Sequence, residues 1–122
     1  MNPTPYTVAT PWGGSSTLDE GEGFRAKRLR IKPGKRTSLH RHDRRSEHWI
    51  VVEGEATVII GPNRRIIHLP EGGTFDVMVG QLHRLANDGK EDLVLIEVWR
   101  GTELDEADVV RFEDDFGRVD RH

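Results

Sequence analysis

Cysteine is absent from the 122 residues. Disulfides, thiolate metal sites and cysteine nucleophiles are therefore excluded, and the composition agrees with a reducing cytoplasm. No apolar run approaches the ~20 residues needed to span a bilayer. The opening Met1-Asn2-Pro3-Thr4-Pro5-Tyr6 carries neither the basic nor the apolar region of a signal peptide. A soluble, cytoplasmic protein without a membrane partner is expected. An excess of basic charge is missing as well. Eighteen Lys and Arg against 21 Asp and Glu leave a net charge of −3, which argues against a nucleic-acid partner. No internal repeat or low-complexity segment interrupts the chain. Its length fits one domain, residues 1–122, with enough chain to bury a core unaided.

The charge that is present is unevenly placed. Between Arg25 and Arg45 lie ten Lys or Arg and a single acid, Asp43, whereas 102–122 forms an acidic tail. A basic stretch of this kind reads either as a solvated strand face or as a pocket for an anion such as a sugar phosphate. Residues 1–17, with their Pro, Thr, Gly and Ser, read as an extended arm rather than a helix or strand. Asp19–Gly23 reads as a turn.

From 24 to 99 the chain is a series of short β-type runs: Phe24–Lys32, Thr37–His42, Glu47–Val52, Ala56–Ile60, Arg65–Leu69, Thr74–Val79, His83–Ala86 and Leu93–Trp99. Gly, Pro, Asn and Asp clusters punctuate them. Regular turns at this spacing predict an all-β antiparallel sandwich or barrel. Trp49–Val52, Thr57–Ile60 and Leu93–Val98 are apolar on both faces, so a second sheet or a partner subunit must cover the outer one. In the tail, the spacing of Val109, Phe112 and Phe116 fits a short helix, capped by Asp105 or Asp108, or else a tail packed across the barrel.

Two spaced patterns carry the chemistry. The first is Gly34, His40, His42, Glu47 and Gly54; the second is Gly72, Gly80, His83 and Asn87. Residues two apart on a strand share a face, so His40 and His42 project together. Reversal of the chain at Asp43–Ser46 is expected to bring Glu47 alongside on the same face. His83, from a distant strand, is expected to close the site from the opposite wall. Three imidazoles and a carboxylate suit one divalent metal ion, with zinc expected first and Mn, Fe, Ni or Co as alternatives. The glycines mark turns where φ is positive.

These patterns resemble the two motifs of the cupin superfamily, whose fold is a double-stranded β-helix. The proline expected two residues before the second-motif glycine is Met78 here. Pro11-Trp12-Gly13, Leu18–Phe24, Lys27-Arg28-Leu29, Lys32-Pro33-Gly34, Arg45–Val52, His83-Arg84-Leu85 and Val110–Asp114 follow in order. The series is similar to the isomerase domain of type II mannose-6-phosphate isomerases across residues 11–118. Many members of that family have Gln where this chain has His40. In the family the domain often follows a mannose-1-phosphate guanylyltransferase domain, whose activity is not expected of these residues.

The resemblance implies interconversion of mannose 6-phosphate and fructose 6-phosphate. A non-catalytic metal cupin binding an anionic sugar and an Fe(II) dioxygenase are the alternatives. Lys27, Glu97 and Arg84 are the catalytic candidates, with a metal-bound hydroxide as another possible base. Arg45, Lys32 and Arg84 are the candidates for holding phosphate. Lys27 shares strand parity with Leu29 and Ile31, so it would face a polar cavity or snorkel to water. Glu97 shares parity with Leu95 and Trp99. His48, one residue from Glu47, should face outward in a structural role; His68 and His122 read as exposed. Trp12, Trp49 and Trp99 read as packing residues. A homodimer is expected from the two-sided apolar strands and from the habits of the superfamily.

Overall fold

A computed structural model describes residues 6–119. The expectations for residues 1–5 and for His122 lie outside that range. Within it the chain is all-β: eleven strands, β1 (Tyr6–Thr10), β2 (Gly13–Gly21), β3 (Phe24–Ile31), β4 (Leu39–Arg41), β5 (Ser46–Glu53), β6 (Ala56–Ile60), β7 (Arg65–Leu69), β8 (Thr74–Val77), β9 (His83–Ala86), β10 (Leu93–Arg100) and β11 (Val110–Glu113). They form two antiparallel sheets, β1-β2-β3-β10-β5-β8 and β11-β4-β9-β6-β7. This is the expected double-stranded β-helix. Among the described residues no helix is long and apolar enough to cross a membrane.

Period-two alternation decides what each strand buries. Glu47, Trp49 and Val51 of β5 face inward, while His48, Ile50 and Val52 are exposed. Lys27, Leu29 and Ile31 of β3 do the same against exposed Arg28 and Arg30. Inward Ile31, Trp49, Val51, Val58, Leu85, Leu93 and Leu95 make one apolar core between the sheets. Burying a Leu- or Ile-sized side chain contributes about 2 kcal/mol.

The N-terminal arm departs from expectation. The arm is a β-hairpin: β1 pairs with β2, and β2 pairs with β3 along Gly13↔Ile31 to Gly21↔Phe24. Gly and Ser disfavour strands intrinsically, but a neighbouring edge with unpaired backbone groups overrides that weak preference. At Gly13 the approach is so close that a Cβ would lie 1.9 Å from the Arg30 carbonyl oxygen. The turn expected at Asp19–Gly23 is confined to Glu22 and Gly23.

Of the two readings of the tail, the helix is absent from the described residues and the segment packed across the barrel is found. Asp105 makes only a turn, its side chain accepting from the Ala107 amide and its carbonyl from the Asp108 amide. The chain then becomes β11, which pairs with β4 through Val110↔Arg41 and Arg111↔His40. Pairing with that edge satisfies more backbone groups than one isolated helical turn could. Phe116 packs against the core and Phe112 is exposed.

Asp43–Arg45 does not close a hairpin. It carries the chain from one sheet to the other, so β4 and β5 lie in opposite walls. The motif glycines Gly34, Gly54, Gly72 and Gly80 have φ of 74°, 82°, 80° and 78°. Gly80 matters most for the site. In the left-handed region that glycine tolerates, its amide donates to the His42 carbonyl at 2.7 Å, which ties the turn before β9 to the end of β4.

Candidate metal centre

His40 and His83 are direct cross-strand partners on β4 and β9, so their rings leave the same face of one sheet. His42 follows two residues on. The ring centroids lie 4.4 Å (His40–His83), 4.8 Å (His40–His42) and 5.1 Å (His42–His83) apart. Ligand atoms of the three lie within 4.8 Å of one another. The wall assignment expected from spacing is thus corrected: His83 stands beside His40 and His42, and Glu47 comes across from the facing sheet. The physical reason is the sheet change at Asp43–Arg45, which replaces the expected hairpin.

Each imidazole is held by a backbone carbonyl. His40 Nδ1 lies 2.8 Å from the Ser38 oxygen, His42 Nδ1 2.7 Å from the Asp108 oxygen and His83 Nδ1 2.8 Å from the Gln81 oxygen. A carbonyl only accepts, so each Nδ1 carries the proton and each Nε2 presents a lone pair. Burial keeps the rings neutral: it pushes His40 well below the usual imidazole range, reinforced by His83 and His42, and it lowers His83. Burial likewise brings His42 down to about 4, against the opposing pull of Glu47.

Glu47 is buried at 3% exposure. Its Oε2 accepts from Arg45 Nε at 2.8 Å, and its Oε1 from Trp49 Nε1 at 2.9 Å. Burial alone would raise this carboxyl, but the Arg45 guanidinium and the Trp49 indole N–H that bond to it help hold it ionised, at about 2. Glu47 Oε2 also stands 3.2 Å from His42 Nε2. These are two lone-pair donors facing each other, an arrangement that calls for positive charge between them. Arg45 supplies some, with Nη2 3.1 Å from His42 Nε2. Three neutral Nε2 atoms beside a carboxylate fit a divalent metal of the zinc, manganese or iron type.

The histidines open onto a cavity of about 370 Å³. Lys27, Glu97 and Trp99 line it from the facing sheet, Val8, Thr10 and Trp12 from the N-terminal hairpin, and Glu106, Val109, Arg111 and Arg118 from the tail. Burial pushes the Glu97 carboxyl well above the usual range; the neighbouring Glu47 charge adds to this. Trp99 Nε1 donates to Glu97 at 3.1 Å. Lys27 faces the cavity, as strand parity predicted, with Nζ 2.5 Å from Glu106 and 4.8 Å from the Trp99 ring centroid. Trp12, Trp49 and Trp99, expected only to pack, also line the cavity.

Two candidates lie elsewhere. Arg84 follows His83 on β9 and therefore leaves the opposite face; its Nε donates to the Thr37 carbonyl at 2.9 Å and its Nη2 to the Glu113 carbonyl at 3.2 Å. Lys32 is exposed beyond the end of β3 and does not line the cavity. Arg45 is buried, but its guanidinium is committed to Glu47 and His42, 3.3 Å from the Trp99 ring centroid. His48 meets Asp76 on the outer face, and His68 is exposed. Much of the basic stretch is neutralised by the tail, through Arg36–Asp115 at 2.7 Å and Arg44–Glu103 at 2.6 Å.

Sequence reasoning missed the tail residues Glu106, Arg111 and Arg118 as cavity lining. Arg111 alone had a signal, its place in the similar segment Val110–Asp114, which carries no ligand spacing; Glu106 and Arg118 lie outside every such segment.

A family model described as mannose-6-phosphate isomerase C-terminal matches residues 3–114. The xanthan biosynthesis protein XanB of Xanthomonas campestris pv. campestris is 46% identical over 112 residues, 92% of this chain and 24% of that protein. Mannose-1-phosphate guanylyltransferase ManC of Salmonella typhimurium is also 46% identical, over 92% of this chain and 23% of its own length. The chain thus spans about a quarter of these relatives. A double-stranded β-helix protein of Klebsiella pneumoniae superposes with a TM-score of 0.70 at 23% identity, covering 93% of this chain and 89% of that one.

Proposed function

We propose, on the premise that this chain belongs to the mannose-6-phosphate isomerase C-terminal family, that its cavity interconverts mannose 6-phosphate and fructose 6-phosphate. His40, His42, His83 and Glu47 would hold one divalent metal, with zinc the first expectation. When bound, that ion would polarise the sugar carbonyl as a Lewis acid and stabilise the oxyanion that develops on it.

The chain's own groups supply the rest. Isomerisation takes a proton from C2 of the aldose and returns one to C1, while the O2 hydroxyl proton moves to O1. Glu97 is the proton carrier in this reading. Its carboxyl is buried in the cavity wall and raised well above the ordinary range, so it is a stronger base when ionised and holds a proton at higher pH than a solvated acid. The Trp99 indole fixes its orientation. Trp49 and Arg45 hold both oxygens of Glu47 in place. Trp12, Trp49 and Trp99 narrow the cavity and exclude water from the open-chain sugar.

The observation that carries the proposal is the shared orientation of three neutral imidazoles toward a cavity that also holds a raised carboxyl. A coupled assay tests it, with fructose 6-phosphate converted onward to a dehydrogenase substrate. Protein loaded in turn with Zn, Mn, Co and Ni should turn over with at least one, and Glu97→Gln should lose at least about 100-fold in kcat. No turnover with any of the four would overturn the isomerase reading.

A further inference from the structure

Three cations converge on one indole. The charged groups of Arg25, Lys27 and Arg45 lie 5.6, 4.8 and 3.3 Å from the Trp99 ring centroid. Arg45 is committed to Glu47. Lys27 and Arg25 share a different carboxylate, Glu106, at 2.5 and 3.6 Å.

The partners of that pairing are unequal. Lys27 sits in the middle of β3, paired to Thr17 on one side and Glu97 on the other, and its side chain is 6% exposed. Glu106 sits on the short turn between β10 and β11, and its side chain is 56% exposed. The cation is therefore fixed inside the cavity and its anion reaches in from the mouth. A buried ammonium requires an anion beside it. Glu106 meets that need at little desolvation cost, because much of it stays in water. For the same reason it gives up little by leaving. A phosphate monoester brings up to two negative charges and three acceptor oxygens, against one charge and two oxygens on a carboxylate.

We infer that Lys27, flanked by Arg25, is the subsite for the ligand's phosphate group, and that Glu106 is a resident carboxylate which the phosphate displaces. The inference rests on the sugar-phosphate reading for its ligand but not on turnover. It moves the phosphate from Arg84 and Lys32, which face away from the cavity, to a cation that lines it.

Calorimetric titration of the metal-loaded protein with inorganic phosphate, mannose 6-phosphate and mannose tests the subsite. Removing the competing carboxylate by Glu106→Gln should tighten both phosphate ligands by about fivefold to tenfold and leave mannose unchanged. Glu103→Gln removes an equal charge from the same segment outside the cavity, where Glu103 pairs with Arg44, and should change nothing. The double variant Lys27→Gln with Glu106→Gln should lose the gain. Unchanged or weaker phosphate binding in Glu106→Gln would overturn the inference, as would a gain that survives Lys27→Gln or appears equally in Glu103→Gln. Binding that behaves as expected without any isomerase turnover would keep the subsite and sink only the reaction.

Discussion

Substituting Glu97 by glutamine asks whether the cavity wall holds a neutral or an ionised carboxyl. Glu97 is 4% exposed, and burial, followed by the charge of Glu47, raises its carboxyl well above the ordinary 4.5. A group raised in the folded state keeps a proton that the unfolded chain has already released. Its contribution to stability is complete below a pH of about 4.5 and is lost as pH rises through the folded value. Within that window the loss is about 1.4 kcal/mol per pH unit. Between pH 5 and 7 the metal-free protein should therefore lose stability through this one group as the pH rises.

Glutamine resembles the protonated acid, and its carbonyl can still accept from the Trp99 indole. Glu97→Gln should differ least from the wild type at pH 5 and be the more stable of the two at pH 7, the gap opening by at most about 1.4 kcal/mol per pH unit. The histidines contribute with the opposite sign: their folded values are depressed, so their stability is lost as pH falls below about 6.5. That loss is common to both proteins and cancels in the difference. Urea unfolding in chelator, followed by tryptophan fluorescence at pH 5, 6 and 7, measures it. A variant less stable than the wild type at pH 7, or a difference that does not change with pH, would refute the assignment of a neutral buried acid.

Arg45→Met removes a cation 3.1 Å from His42 Nε2 and should tighten zinc binding at least about tenfold in chelator competition; unchanged affinity would mean that Arg45 does not oppose the metal. Arg84→Ala should cost about 3 kcal/mol in urea unfolding, because the Thr37 and Glu113 carbonyls lose a buried donor. Its KM for mannose 6-phosphate should stay within twofold of the wild type, whereas a large rise would return Arg84 to the cavity. The outer face of β5 exposes Ile50 and Val52 at 39% and 47%. A homodimer formed there predicts twice the chain mass by light scattering at micromolar concentration, and a monomer would refute it.

Much of the site was legible because strand parity is rigid. The His40/His42 pair, the inward Lys27 and Glu97, and the outward His48 all follow from period-two alternation within one strand. What failed was information between strands. Nothing in Asp43–Ser46 distinguishes a hairpin from a crossover to the other sheet, so Glu47 was expected on the wrong wall. Arg84 failed differently: its neighbour His83 marks it as close to the site, yet the same alternation turns it away. The hairpin at 6–21 and the tail strand Val110–Glu113 lack the apolar alternation of the barrel strands. They become strands because β3 and β4 offer unpaired edges, a property of the assembled sheet.

Equilibrium dialysis of stripped protein against zinc and manganese decides whether these residues form a metal centre. One ion per chain is expected for the wild type. Binding at least about 100-fold weaker is expected for His42→Ala and for His83→Ala, each of which removes one Nε2 from the set. Full occupancy in either variant, or no saturable binding by the wild type, would contradict the metal centre.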